Sequence, residues 1–414
     1  MSGLDGGLMK EGSHPLPGSV TRVDVIVIGM GPAGASTAYE LAQRGMSVLA
    51  LEKQVHPRYK VCGGGLSARI ERILPDDFKT VVEQTVHRIE FIYGGKESFF
   101  LEFPQPVAYM VMRARFDRWV GSKAIAAGVR VHQGESVIHL RMDEKGVEVH
   151  TDRGRYRAGY VVGADGVMSL VAQHLFPGRR FPTIPALESE YQGTPLPKAV
   201  HAIPTAVISL SAAQKGYGWV FPKKEGLSFG VGEFVKGKNR PRRSFERFVR
   251  NEKSLKGLFI SSPLGHPLPL AYRPIRGNGN PWKGNLARER AVLVGDAGHL
   301  VDPLLGEGIY YAVRSGQLAA AAVSSAYHHS PAQLEQYEES IDREFSGEFD
   351  VAAKLNRIIY GLPRSVHRWA GLTFPHAYQR VLRGYCEVLQ GRETYQGLWN
   401  RMTNRLKRPF AGRR

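Results

Sequence analysis

VDVIVIGMGPAGASTAYELAQRGMSVLALEK, Val23 to Lys53, reads as a buried strand, a glycine turn, a helix and a second strand ending at Glu52. That is one βαβ unit of about thirty residues. Gly29, Gly31 and Gly34 supply GxGxxG: one glycine for a tight turn, one for close backbone approach to a pyrophosphate, one for tight contact between helix and strand. Glu52 stands where an acid bonds ribose hydroxyls. Pro32 and Ala33, inside the fingerprint, and Lys53, beside Glu52, join the candidate contacts to a bound dinucleotide.

Outward from this unit, the chain has 414 residues, 43% hydrophobic and 23% charged, ordinary for two or three globular domains. Cys62 and Cys386 lie far apart, which excludes a disulfide-dense scaffold and a CxxC metal or redox pair and suits a reducing cytosol. No metal-ligand spacing is present. No apolar run reaches bilayer-spanning length, and residues 1–20 lack the apolar core of a signal peptide, so they read as a flexible leader and the protein as cytoplasmic. Net charge is +18, which favours anionic partners: nucleic acid, an anionic membrane surface or a phosphorylated substrate. From Lys354 onward there are thirteen Lys or Arg against two Glu. On a helix, Tyr395, Leu398, Trp399, Met402 and Leu406 share one side, ringed by Arg401, Arg405, Lys407 and Arg408. Such a helix either binds the inner face of a membrane as a peripheral element or docks on its own protein with a solvated basic rim.

In HPRYKVCGGGLSARIERIL, three glycines directly follow Cys62, a run that forms a loop whose backbone comes close to something. MVMRARFDRWVGSKAIAAGVRV is a strand and then a helix carrying Arg113 and Asp117. A meander with turns at Lys145-Gly146 and Arg153-Gly154 ends in Gly163-Ala164-Asp165-Gly166. In GYGWVFPK, Gly216 to Lys223, a strand's period of two sends Tyr217, Trp219 and Phe221 to one face, with LSFGVGEF as the hairpin partner. Such a row either packs as a half-buried sheet or walls a cavity. A second β-to-helix junction follows in RAVLVGDAGHLVDPLLGEGIYYAVRSGQLAAAAVSSAY.

Two glycine-rich junctions more than two hundred residues apart fit one extended cofactor gripped at both ends, FAD better than NAD alone. Asp296, after Gly295, would accept a hydrogen bond from the ribitol. Gly306 and Gly308 open a helix whose amino terminus favours negative charge on a reduced flavin. Pro303, Ile309, Arg113 and Asp165 complete the candidate cofactor set. The fold class that follows is α/β: a Rossmann-like FAD-binding domain (residues 21–78, 106–172 and 289–328), an inserted, mainly antiparallel substrate domain (79–105 and 173–288) and a basic helical region (329–414).

From Val23 to about Asn400, VIGMGPAGASTAYEL, PRYKVCGGGL, GADG, GYGWVFPK and GDAGHLVDPLLGEGIYYAVRSGQLAA resemble, in that order, the FAD-dependent geranylgeranyl reductases of the hydroxylase-like flavoprotein superfamily. The family's PxxKxCGG loop is met by Pro57, Lys60, Cys62, Gly63 and Gly64, and its YxWxFPK strand by Tyr217, Trp219, Phe221, Pro222 and Lys223. The resemblance implies that the loop borders the flavin ring and that the strand lines a lipid cavity. One departure is Gly298-His299 after GDA, which leaves His299 either solvated and neutral or touching the flavin.

The activity so implied is reduction of an isolated C=C bond in a polyprenyl lipid or prenyl diphosphate, by hydride from reduced FAD plus a proton. The external reductant is either NADPH or a ferredoxin. Tyr217, Trp219 and Phe221 would wall the hydrocarbon, Trp219 with Tyr217 would stabilise cationic character at the reacting carbon, and Lys223 would meet an anionic headgroup at the mouth. Cys62 is either the proton donor or a small loop residue. Arg58 and Lys60 would contact phosphate or the loop backbone. A flavin monooxygenase or halogenase would use much of the same fold, although halogenases carry GWxWxIP where this chain has Tyr217 first and lysine after Pro222. A non-catalytic prenyl-lipid carrier conflicts with the intact Gly29, Gly31, Gly34 and Asp296. No recognition motif accompanies the basic residues, so specific nucleic-acid binding ranks last.

Overall fold

The computed structural model describes residues 20–93, 97–179, 182–193, 203–213, 215–234, 241–269, 284–361 and 364–407. In the strand Thr21–Ile28, Val25 and Val27 join one core while Ile26 and Ile28 join another, and all four are buried. A strand buried on both faces belongs in the middle of a covered parallel sheet. It lies there, in the order Ala287–Arg288, Ala291–Leu293, Arg155–Gly163, Thr21–Ile28, Val48–Glu52, Arg130–Gln133, parallel from Ala291–Leu293 onward. Helices Pro32–Gln43, Arg113–Ala126 and Ile309–His328 contribute Ala38, Phe116 and Val313 to one of these cores. The expected meander, Val137–Asp143 and Gly146–Thr151, closes the other with Leu140, Val147 and Val149.

A second sheet runs Leu264–Leu268, Ile184–Gln192, Gly226–Glu233, Gly216–Lys223, Thr205–Ser209, Arg88–Tyr93, Glu97–Glu102, antiparallel except where Thr205–Ser209 meets Arg88–Tyr93. The expected hairpin forms, from Gly216 opposite Glu233 to Lys223 opposite Gly226. On its outer face Val207, Val220, Phe229 and Val231 pack under the helix Pro241–Asn251 through Phe245 and Phe248. The period of two therefore turns Tyr217, Trp219 and Phe221 the other way. A three-stranded sheet of Gly65–Ser67, Ala108–Val111 and Val82–Val86 adjoins the cofactor half.

Helices Gly347–Gly361, Arg364–Thr373, Pro375–Leu389 and Tyr395–Lys407 follow, giving the mixed α/β architecture with C-terminal helices. Tyr395 and Leu398 are buried, and Trp399 and Met402 pack half-buried against the same core. The last helix thus docks on its own protein, because its apolar side finds partners there; the membrane-bound alternative for this helix is set aside. The side chains of Arg405, Leu406 and Lys407, with Arg408 and the leader up to residue 19, lie outside the described residues. Among the described residues no helix is long and apolar enough to cross a membrane.

Candidate active site

A cavity of about 670 Å³ is lined from both large sheets. Its nucleotide end is bounded by Gly29, Gly31, Pro32, Ala33, Glu52 and Lys53. Gly29, at φ 96°, donates its N–H to the carbonyl of Leu51 at 2.8 Å and so turns the chain out of the sheet. Gly34 does not line the cavity: a Cβ there would fall 1.9 Å from the carbonyl oxygen of Gly29, so it serves the packing of helix on turn. Glu52 accepts the N–H groups of Met30 at 2.8 Å and Gln54 at 3.0 Å. Burial opposes its charge, but the His56 ring at 3.9 Å, the hydrogen bonds from Met30 and Gln54, and Arg58 nearby outweigh that and hold its carboxyl below the ordinary value.

Arg58 lies 3.1 Å from Asp117, whose carboxylate also takes two 2.8 Å bonds from Arg113. Arg58 Nη1 is buried with no hydrogen-bond partner among the described residues, on a side chain that lines the cavity. Asp165 is differently employed. It accepts from the Ser169 hydroxyl at 2.5 Å and the Leu170 N–H at 2.7 Å, so its carboxylate starts the helix Leu170–Leu175 even though the residue borders the cavity.

Midway, the loop through Cys62 lies against the aromatic strand. A Cβ on Gly63 would come 2.9 Å from Trp219 Nε1 and 3.0 Å from the Phe221 ring. Lys223 corrects the expectation of a headgroup contact at the mouth. It is 5% exposed, does not line the cavity, and donates to the carbonyls of Gly63 at 2.8 Å and Val111 at 2.9 Å, because at the strand's end, on the same face as the rings, the backbone of the Cys62 loop covers it. Cys62 accepts the Gly64 N–H at 3.4 Å and meets the Arg113 guanidinium. Lys60 reaches His266 Nε2 at 2.7 Å; burial and then Lys60 and Arg113 press the His266 imidazole down to about 4, so it is neutral and accepts. Opposite, burial pushes the Asp296 carboxyl up, tempered by Lys60 and Arg113.

Gly306, Gly308 and Ile309 line the cavity where the helix Ile309–His328 begins, an end that no side chain caps. Gly295 and Pro303 lie behind this surface. Gly295 packs against Ala33 and Ala312, and the Pro303 carbonyl accepts the Asn356 amide at 2.6 Å. His299 satisfies neither expectation: it is buried away from the cavity, and burial with Arg179 nearby lowers it to about 4, hence neutral.

The floor is the second sheet. Phe91, Ile208, Trp219, Gly230 and Glu188 stand in register across five strands, with Tyr217, Gly232, Ala186 and His266 in the row beside them. A Cβ on Gly230 would fall 2.4 Å from the Trp219 ring, so the indole lies over that glycine toward Glu188. Trp219 Nε1 is buried without a partner among the described residues. Ala108, Met110, Tyr385 and Leu389 extend the lining into an apolar lobe.

Glu188 has no motif in the sequence to mark it. It is 1% exposed, faces the cavity, and accepts the Tyr59 hydroxyl at 2.7 Å and the Ser228 hydroxyl at 3.0 Å. Burial, with Glu190 adding to it against those hydrogen bonds, pushes its carboxyl up to about 7. The signal was the alternation in Leu187-Glu188-Ser189-Glu190, which looks like any solvent-facing strand side.

An unpaired arginine N–H, a carboxylate at the end of a strand and an uncapped helix terminus are what a diphosphate, a ribose and an electron-rich ring require, so these residues fit FAD. Comparison with known proteins agrees. Residues 22–344 match the family described as FAD binding domain. The chain is 29% identical over 374 residues to digeranylgeranylglycerophospholipid reductase 1 of Methanopyrus kandleri, spanning 81% of this chain and 90% of that protein. It is 27% identical over 357 residues to the chloroplastic geranylgeranyl diphosphate reductase of Oryza sativa subsp. japonica, spanning 82% and 73%. The crystal structure of a geranylgeranyl bacteriochlorophyll reductase-like protein from Thermoplasma acidophilum superposes with a TM-score of 0.71 at 23% identity, over 84% of this chain and 90% of that one. A flavin-dependent brominase gives 0.65 at 20% identity, over 94% and 100%. The two superpositions show the fold, and the family match across more than three hundred residues shows the membership: this chain belongs to the FAD-binding-domain family of flavoprotein oxidoreductases.

Proposed function

We propose that this protein reduces isolated C=C bonds in the geranylgeranyl or longer polyprenyl chain of an isoprenoid lipid or pigment precursor. One observation carries this: a single cavity joins the dinucleotide end to a lobe walled by Tyr217, Trp219, Phe221, Phe91 and Ile208. Such a lobe suits a branched hydrocarbon. When bound, FAD supplies hydride from its reduced ring.

The protein's part is to hold the tail, exclude water and present a proton. An isolated alkene has no carbonyl to take up electrons, so cationic character develops at its more substituted carbon as it is protonated. The faces of Trp219 and Phe221 would stabilise that charge by roughly 1–2 kcal/mol in a desolvated site. Cys62 and Glu188, both facing the cavity, are the candidate proton donors. Cys62 is held by Arg113 and the Gly64 N–H; Glu188 is held by Tyr59 and Ser228, with its carboxyl near neutrality. Mixing the reduced protein anaerobically with a geranylgeranyl lipid tests the proposal. Flavin reoxidation together with a mass gain in pairs of hydrogens supports it, whereas substrate-dependent consumption of oxygen with no hydrogen gain assigns the protein to the oxygenases or halogenases instead.

A further inference from the structure

We propose that the corner formed by the helices Arg364–Thr373 and Pro375–Leu389 docks on an anionic lipid bilayer. At this corner Trp369, Leu372 and Phe374 are 59%, 59% and 53% exposed. The Trp369 and Phe374 rings meet edge to face at 5.5 Å, so the apolar surface is continuous. Ile358, 46% exposed, lies on the preceding helix, whose end is tied to this corner by His367 at 2.6 Å from the Ile359 carbonyl. Large aromatic and aliphatic side chains left together in water need a partner.

The surrounding charge names the partner. From Val351 to Leu389 the sequence holds six Lys or Arg and one acid, Glu387, which is 3.2 Å from Arg401. Lys354, Arg357, Arg368, Arg380 and Arg383 are exposed. Acidic neighbours from the packed strand Glu97–Glu102 are Glu97, 2.8 Å from Arg368, and Glu102, whose backbone carbonyl lies 3.5 Å from Arg383. A basic rim around exposed Trp, Leu and Phe is the composition of an interfacial membrane element. A second copy of the chain is a poorer occupant, since symmetric pairing would press two equally positive surfaces together. The same corner reaches the site. Helix Pro375–Leu389 carries Tyr385 and Leu389 into the cavity lining, with Tyr385 about 16 Å along the axis from Phe374.

Co-sedimentation of the full-length flavoprotein with phosphatidylglycerol or phosphatidylcholine vesicles tests this without any turnover, so it stands or falls apart from the reductase proposal. The parent is expected to partition at least about tenfold better onto phosphatidylglycerol, with the preference falling as salt is raised. The combined Trp369→Ser, Leu372→Ser, Phe374→Ser variant is expected to lose about tenfold or more of that partition, and Arg357→Gln with Arg380→Gln to lose the anionic preference. Flavin absorbance and melting temperature equal to the parent's verify the fold of each variant. Equal partition of variant and parent would overturn the proposal. So would a parent that binds neither vesicle, or a variant whose one change is loss of a dimer in light scattering.

Discussion

Lys223 holds its ammonium 2.8 Å from the carbonyl oxygen of Gly63, across 160 residues of sequence, and 2.9 Å from that of Val111. This strut joins the aromatic strand to the Cys62 loop. Burial lowers the lysine to about 8, so it is still mostly charged and donating at neutral pH. Lys223→Met strips two buried carbonyls of their donor and is expected to cost about 2–3 kcal/mol. Thermal unfolding followed by flavin fluorescence should show a midpoint several degrees lower; an unchanged midpoint would deny the strut its role.

Gly63→Ala probes the throat of the cavity. Its methyl must displace Trp219 and Phe221, so turnover of a prenyl substrate is expected to fall about tenfold or more while flavin content stays near one per chain. A variant that turns over at the parent rate would mean that substrate does not pass this point.

Of the two candidate proton donors, Glu188 is the one whose carboxyl would leave a pH dependence near neutrality. A group that works protonated, with its carboxyl at about 7, gives a rate that falls as pH rises through neutrality. Glu188→Gln is expected to lower the rate by roughly 10²-fold and to abolish that limb of the profile. If the limb persists, and Cys62→Ser removes it instead, the thiol is the donor.

Arg58 tests the nucleotide end. With its buried Nη1 lacking a partner among the described residues, Arg58→Ala is expected to weaken FAD binding by roughly 10- to 100-fold, the worth of one charge-assisted hydrogen bond. Titration of apoprotein with FAD, read by fluorescence quenching, measures it; an unaltered Kd would place the diphosphate elsewhere.

Asp302 links stability to pH. It accepts the Tyr395 hydroxyl at 2.6 Å, and burial pushes its carboxyl from 3.8 up to about 7. Between those values the unfolded chain has released a proton that the folded chain keeps, so stability falls as pH rises from about 4 to about 7. Asp302→Asn should flatten the melting temperature across that window; a slope identical to the parent's contradicts the linkage.

Much of this was legible along the chain because it is local. The fingerprint at Gly29, Gly31 and Gly34, the acid Glu52 at a strand end, the helix opened by Gly308 and the one-sided rings of Tyr217, Trp219 and Phe221 each depend on backbone geometry within a few residues. Spacing alone specifies such features. What a polar side chain reaches depends on which strands lie beside it. Lys223 turned to the Gly63 carbonyl, Asp165 to its own helix, and strand pairing brought Glu188 level with Trp219 across Gly230, whose lack of a side chain lets the indole lie toward the carboxyl. The apolar side of the last helix was plain in its periodicity, but whether protein or lipid would cover it was settled by the pocket that buries Tyr395 and Leu398, while Trp369 and Phe374 found no such cover among the described residues. Periodicity determines that a face must be hidden, and only tertiary packing decides against what.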